Sequence, residues 1–154
     1  MTDDLLSDEA RAWIGMELDV PCAPLTLADV QRFRVGVGQA PLSAEEAEQG
    51  VVVPPMIYQT LSRQPVDPAG LTRDGVPPDR RPPVGEGRGM NGEVELELRR
   101  PLRLGDQLHG RRRLVSLEPK QGRRRAMVVS TWVTEFRDAD DDVVLVETVR
   151  QILF

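Results

Sequence analysis

The sequence predicts an α+β fold in which short helices come first and an antiparallel sheet follows. Helical periodicity and capping residues are confined to residues 7–63, whereas residues 92–154 alternate between apolar and polar side chains. Turns of a few residues separate the later strands, which predicts hairpins rather than parallel strands joined by helices.

The first two helices are predicted from their N-terminal caps. Residues 7–16 start with Ser7 and carry acidic side chains in the first turn, which favour a helix N-terminus. A second helix starts at Thr26, where Asp29 three residues later resembles a capping box, and Gly36 and Gly38 end it. The prolines between the two segments predict a break.

A third helix is predicted over residues 55–63. A Pro-Pro pair precedes it, and proline is able to begin a helix but not to continue one. Met56, Ile57 and Leu61 fall on one apolar stripe, which indicates burial. Residues 43–48, before the prolines, are polar and contain one helical turn at most.

Residues 64–89 are rich in proline, glycine and arginine and have few apolar side chains. A loop of this length is unusual in a compact domain and is often functional. We interpret it as a loop within one domain that spans residues 1–154, because neither flank has the pattern of a complete domain.

Four strands are predicted in the rest of the chain. The first alternates, with Val94 and Leu98 on one face and glutamates on the other. The predicted strands are residues 92–101, 107–118, 123–138 and 143–154, separated by turns at 104–106, 119–122 and 139–142. Val128, Trp132 and Phe136 share one face of the third strand and are predicted to lie in the core or an interface.

Composition restricts the class of partner. The net charge is −5 and the pI is about 5.0, which argues against nucleic acid and against a membrane surface. No apolar run approaches the roughly 20 residues that span a bilayer, and no leader pattern is seen, so we expect a cytoplasmic protein. Cys22 and His109 are single in the sequence, so we expect no disulfide and no metal site.

Four segments in order resemble the MaoC-like and fatty-acid-synthase-type dehydratases. They are LSDEARAWIGMEL, TLADVQRFRVGVG, VVVPPMIYQTL and GEVELELRRPLRLGDQL. The resemblance implies a hot-dog fold, in which a curved antiparallel sheet wraps around a central helix. It also implies that two such domains pair side by side, that the substrate is an acyl thioester on CoA or acyl carrier protein, and that no cofactor takes part.

The sequence departs from that family where the reaction is carried out. Active members place an Asp and a His in the loop after their first helix, where the pair moves protons during hydration of an enoyl thioester. Gln39 stands at the Asp position and Ser43 near the His position. We therefore expect no catalytic residue, and we expect His109 to lie on the sheet surface. The resemblance then implies a non-catalytic subunit of a heteromeric enoyl-CoA hydratase, or 3-hydroxyacyl thioester dehydratase, in a heterodimer or heterotetramer with a catalytic MaoC-like partner.

Two arginine clusters flank a predicted hairpin, the first at residues 111–113 and the second at residues 123–125. Arginine suits phosphate recognition, although a solvated hairpin without a specific ligand is the alternative. The candidates for contacts with acyl-CoA are Arg111, Arg113, Arg123, Arg125, Met56 and Tyr58. The early end of the 55–63 helix resembles that of hydratase pairs that accept bulky groups, such as sterol-like or polyketide acyl chains. A surface loop without function is the alternative interpretation of residues 64–89.

Two other functions are open at this point. A stand-alone hot-dog acyl-CoA thioesterase would use a carboxylate, for which Glu45, Glu46 and Glu48 are the candidates, although all three are typical of a solvated turn. A non-enzymatic acyl-CoA-binding or scaffold protein would bind the ligand without turnover.

Overall fold

The computed structural model describes residues 5–49, 51–62, 65–72, 75–85 and 88–154. The helices are α1 (Asp8–Arg11), α2 (Leu27–Gly36), α3 (Ala44–Glu48) and α4 (Tyr58–Ser62). The strands are β1 (Glu17–Pro21), β2 (Gly89–Leu98), β3 (His109–Gln121), β4 (Ala126–Arg137) and β5 (Val143–Leu153). Within these ranges, no helix is long and apolar enough to cross a membrane.

The five strands form one antiparallel sheet in the order β1-β3-β4-β5-β2. β3, β4 and β5 follow one another through short turns, as the alternating sequence predicts. β1 pairs with β3 and β2 pairs with β5, so β1 and β2 are the two edges of the described sheet. The predicted α+β class with an antiparallel sheet is confirmed.

The N-terminal helix is shorter than predicted, and a strand that the sequence pattern does not reveal follows it. α1 ends at Arg11 rather than at residue 16. Gly15 adopts a left-handed φ of 88° and donates its N–H to the Leu114 carbonyl at 2.8 Å, which turns the chain towards β3. The following residues form β1, and Pro21 is tolerated because it lies at the end of an edge strand.

The hairpin between β3 and β4 lies further along the chain than predicted. Pro119 belongs to β3, and the turn lies at 122–125, where Gly122 donates its N–H to the Arg125 carbonyl at 3.0 Å. Pro119 is tolerated because β1 pairs only with residues 109–113 of β3, which leaves the far part of β3 open on that side. The arginines of the second cluster therefore lie in the turn and not in a strand.

One face of the sheet, which we call the inner face, carries the core, and the other is the outer face. Val128, Trp132 and Phe136 of β4 are buried, which confirms the predicted core positions. Phe136 belongs to a cluster around α4, whereas Trp132 belongs to a second cluster that includes Ala10 and Val84. The core therefore has two parts, one towards each end of the strands.

The helix on the inner face has the short length that the sequence predicts. A single 3-10 turn at Pro55–Ile57 leads into α4, which is described as far as Ser62. The Tyr58 ring meets the Phe136 ring edge-on, with centroids 5.3 Å apart. Residue 63, the last of the predicted helix, lies outside the described residues.

The predicted loop 64–89 packs partly on the inner face. Residues 64, 73–74 and 86–87 lie outside the described residues. The rest contains 3-10 turns at Pro68–Gly70 and Pro78–Arg80, and its last predicted position, Gly89, already belongs to β2. Val84 is buried in the Trp132 cluster, so this part of the loop covers one end of the inner face.

The Arg-Pro pair and the Gly-Asp turn between β2 and β3 are joined by hydrogen bonds. Arg100 Nη1 donates to Asp106 Oδ2 at 2.8 Å, and Arg100 Nη2 donates to Asp138 Oδ2 at 3.0 Å. Asp106 Oδ2 also accepts the Arg103 N–H at 2.8 Å, while Gly105 has the φ of 91° that the turn requires. The guanidinium thus connects the segment after β2 to the turn after β4.

We expect Arg100→Met to lower the free energy of unfolding by about 1–2 kcal/mol, because it removes charge-assisted hydrogen bonds from a partly exposed side chain. The hydrogen bond from Arg100 holds the pKa of Asp138 below its ordinary value of 3.8. Such a carboxylate stabilises the fold above its unfolded-state pKa, and it loses this contribution as the pH falls through the folded-state value. In urea unfolding, the free energies of unfolding of the variant and the wild type should therefore differ at neutral pH and become similar in acid. An equal difference in the free energy of unfolding at both pH values would contradict this role.

Candidate functional site

The loop after α2 is fixed by two side chains of that helix. Gln31 Oε1 accepts the Leu42 N–H at 2.7 Å, and Gln31 Nε2 donates to the Leu42 carbonyl at 2.9 Å. Arg34 Nε donates to the Ala40 carbonyl at 2.8 Å. Leu42 is buried, so these contacts anchor the loop to the core.

The two positions singled out in this loop offer no group for proton transfer. Gln39 is exposed, and its backbone N–H donates to the Arg34 carbonyl at 2.8 Å. Ser43 is the N-cap of α3, where its hydroxyl accepts the Glu46 N–H at 3.2 Å and its own N–H donates to the Glu46 carboxylate at 2.7 Å. An amide and a capping hydroxyl do not titrate near neutral pH.

A row of polar side chains crosses the inner face between the two core clusters. Arg112 of β3, Thr134 of β4 and Glu147 of β5 are direct partners in the strand register. The flanking rows are Gly110, Phe136 and Leu145 on one side and Leu114, Trp132 and Val149 on the other. Polar groups within an apolar face are costly unless they have partners, so this row marks a candidate site.

The polar row lines a cavity of about 190 Å³. α4 contributes Gln59 and the loop contributes Arg80 to its wall. The sheet contributes residues from every strand, from Val20 at one edge to Asn91 and Val94 at the other. Because Asn91 and Val94 are exposed, the cavity extends to the open edge of β2.

Arg112 is held in the cavity by an aromatic ring. Its guanidinium lies over Trp132, 4.5 Å from the ring centroid, and its Nε is buried without a hydrogen-bond partner in the described part of the chain. Burial lowers the pKa of Arg112, the Glu147 carboxylate acts against that shift, and the charge of Arg80 adds to it. Glu147 accepts a hydrogen bond from the Tyr58 hydroxyl at 2.5 Å.

The four arginines predicted to contact CoA lie away from this cavity. Arg111 and Arg113 line a depression of the sheet with carboxylates of β1 and β4 on the face opposite Arg112. Arg123 and Arg125 lie in the β3–β4 turn, where the Arg125 guanidinium packs on the Phe154 ring at 3.5 Å. About 25 Å of strand separates Arg113 from that turn, so the two clusters do not form one patch.

The remaining candidates divide between the cavity and the surface. Tyr58 is buried and reaches the cavity through Glu147, whereas Met56 is exposed. His109 lies on the outer face, with Nε2 3.3 Å from the Asp141 carboxylate. Burial raises the pKa of the Cys22 thiol to about 11, so a thiolate nucleophile does not form there at neutral pH.

Sequence reasoning missed Arg112 and Glu147 as site residues. Each occupies an inward position whose neighbours two residues along the strand are apolar, such as Leu114, Leu145 and Val149. The signal that could have found them is a charged residue at a strand position where the alternation predicts an apolar side chain. In β3 the flanking arginines hide that signal, because three consecutive arginines suggest a solvated cluster.

Comparisons with known proteins give both a family and a fold. A family model described as "FAS1-like, dehydratase domain region" matches residues 12–147. A chain of the ChsH1-ChsH2 complex from Mycobacterium tuberculosis is similar, with a TM-score of 0.71 and 16% identity over 100% of this chain and 93% of that chain. No curated protein matches the sequence.

Two further solved structures are similar. The MaoC-like dehydratase from Rhodospirillum rubrum has a TM-score of 0.62 and 19% identity over 99% of this chain and 94% of that chain. The C-terminally truncated HadBC complex from Mycobacterium tuberculosis, a 3R-hydroxyacyl-ACP dehydratase, has a TM-score of 0.63 and 14% identity over 91% and 96%. At such identities the likeness shows the shared hot-dog fold.

Proposed function

This chain belongs to the family of FAS1-like dehydratase domains, and on that premise we propose that it is the non-catalytic subunit of a heteromeric enoyl-CoA hydratase, or 3-hydroxyacyl thioester dehydratase. The loop after α2 carries the proposal, because hydrogen bonds from Gln31 anchor it and it has Gln39 and Ser43 where the resemblance places an acid and a base. Neither side chain moves a proton at neutral pH. A partner subunit would supply the missing Asp and His.

The edge strand β2 supports a partner of the same fold. β2 is ten residues long and pairs with β5 alone among the described strands. Met90, Val94 and Leu98 are exposed along it. Proteins normally cover a long apolar edge, and we propose that the catalytic subunit covers this one. Two of the similar structures are complexes named for two subunits.

The inner-face cavity extends to that edge, so we propose that it forms part of the wall of an acyl tunnel. Its volume of about 190 Å³ is below the roughly 300–1,000 Å³ of typical small-molecule pockets. Arg80 of the loop lines the cavity, so the loop forms part of its wall. A bulky acyl group, such as a sterol-like or polyketide chain, would require this loop to move off the inner face.

Recognition of CoA phosphates by the four candidate arginines outside the cavity stays a proposal. Arg111 and Arg113 have carboxylates of neighbouring strands close by, which compete with a phosphate. Arg123, which is exposed in the β3–β4 turn, is the better placed candidate of the second cluster.

The direct test is co-expression with a MaoC-like subunit that has an intact Asp and His, followed by size-exclusion chromatography and an enoyl-CoA hydration assay. We expect a stable complex whose turnover is lost when the partner's Asp is changed to Asn. Gln39→Ala in this chain is the matched control and should leave turnover unchanged. Hydration by this chain alone would contradict the proposal, and a complex without turnover in any combination would favour an acyl-CoA-binding scaffold.

The competing thioesterase proposal requires a free carboxylate. Glu46 is engaged in the cap of α3, and hydrogen bonds from the backbone and side chain of Ser43 lower its pKa, which weakens it as a base. We expect the purified chain to release thiol from acyl-CoA at the background rate, and Glu46→Gln and Glu48→Gln to release it equally. Cleavage above background that either substitution abolishes would revive the thioesterase.

A further inference from the structure

The inner-face cavity contains more positive than negative charge. Its charged lining residues are Arg80, Arg112 and Glu147. Glu147 already accepts the Tyr58 hydroxyl, while Arg112 Nε has no hydrogen-bond partner among the described residues. One carboxylate for two guanidinium groups leaves a net positive charge in a partly buried site, which is unfavourable. An anion between the two guanidinium groups would offset that cost.

The contact with Trp132 does not satisfy Arg112. The Arg112 Cζ lies over the ring, 4.5 Å from the centroid, and a cation–π contact of this kind gives no N–H donor a polar acceptor. The contact therefore holds the guanidinium beside the ring and leaves Nε without a hydrogen-bond acceptor among the described residues. A guanidinium that is held in place before the ligand arrives loses little conformational entropy on binding.

We propose that this cavity binds one carboxylate group, held by Arg112 and Arg80. Two planar forks match the geometry of a carboxylate, which accepts paired hydrogen bonds from arginine. The two cations and one anion of the lining leave a net charge of +1, which a monoanion neutralises, whereas a phosphate dianion would leave an excess of negative charge. The amides of Asn91 and Gln151, 3.1 Å apart on the same wall, provide further polar contacts.

Two sources of this carboxylate have the same chemistry. It is either the free end of an acyl group whose other end carries the thioester, or a small free acid. The cavity and its charges are the same in both cases, so the inference does not depend on the proposed hydratase role. A small volume of about 190 Å³ suits a short aliphatic acid or the end of a chain.

The Trp132 indole gives a direct readout, because the ring contacts Arg112. Trp13 is the other tryptophan, and Trp13→Phe leaves one indole N–H signal in a nitrogen-15 spectrum of the full chain. We expect sodium butyrate to shift that signal in a saturable way, with n-butanol and sodium phosphate producing little change. No saturable shift, or an equal shift with butanol, would overturn the proposal.

Variants distinguish recognition from general disturbance. Arg112→Met should weaken butyrate binding about tenfold or more, Arg80→Gln should weaken it as well, and Arg113→Gln on the opposite face should leave it unchanged. Unchanged binding in both Arg112→Met and Arg112→Lys would overturn the proposal even if one of them folds poorly. Succinyl-CoA and butyryl-CoA separate the sources. A shift with butyrate and with succinyl-CoA but not with butyryl-CoA indicates the end of an acyl group, and a shift with butyrate but neither thioester indicates a free acid.

Discussion

Replacement of Val94 and Leu98 by lysine is expected to weaken the complex with the catalytic subunit about 10- to 100-fold. Both side chains lie on β2 and are 46% and 39% exposed, respectively. Burial of an aliphatic side chain contributes about 1.5–3 kcal/mol when it is complete. Because less than half of each side chain remains to be buried, loss of the two contacts removes about 1.5–2.5 kcal/mol from the binding free energy, which corresponds to about one to two powers of ten.

A matched control lies elsewhere on the same sheet. Val115 is 42% exposed at a bulge of β3, so Val115→Lys makes a similar surface change away from the β2 edge. Isothermal titration calorimetry should give the wild-type dissociation constant for this control. Both variants should unfold within about 0.5 kcal/mol of wild type, as exposed substitutions usually do. Wild-type affinity in the β2 variant would show that the partner binds another surface.

The order of helices and strands could be predicted because it depends on local pattern. Period-two alternation identifies β2, β4 and β5, and the Pro-Pro pair with its apolar stripe identifies α4. β1 could not be predicted in this way. It has five residues, ends in a proline, and forms because Leu18 and Val20 pair with the start of β3, far along the chain.

Two irregular positions explain why the strand ends and faces were harder to predict. Val115 and Gly92 are the extra residues at bulges, where the register of β3 and of β2 shifts by one. A bulge reverses the side of the sheet on which later residues lie, so parity counted from one end fails beyond it. The β3–β4 turn was misplaced for a different reason, because Pro119 is typical of turns but here lies on an open strand edge.

One part of the candidate site could be predicted from the sequence and another part could not. That neither Gln39 nor Ser43 acts as an acid or a base near neutral pH is readable from the sequence, since residue type alone decides it. The cavity is not readable, because Arg112, Thr134 and Glu147 meet only through the register of three strands. Register depends on pairing over the whole sheet and is invisible to any single segment.

Phe136→Ala is expected to lower the free energy of unfolding by about 3–5 kcal/mol, because the side chain is buried and its removal leaves a cavity. The loss includes the edge-on contact with Tyr58, so α4 loses its ring partner on the sheet. Urea unfolding should show a lower midpoint with an unchanged slope. Val115→Ala, an exposed truncation, should stay within about 0.5 kcal/mol of wild type. A loss below about 1 kcal/mol for Phe136→Ala would contradict the placement of this ring in the core.

The same experiment tests whether the polar row divides the core into independent parts. Phe136→Leu alters the α4 cluster and Leu117→Val alters the Trp132 cluster. The two positions lie about 20 Å apart along the strands, with the Arg112–Thr134–Glu147 row between them. The effects of substitutions on the free energy of unfolding are additive when the two sites share no contacts. The loss in the double variant should therefore equal the sum of the losses in the two single variants to within about 0.5 kcal/mol. A coupling above about 1 kcal/mol would mean that packing continues across the row. The cavity would then be a gap within one core rather than a boundary between two.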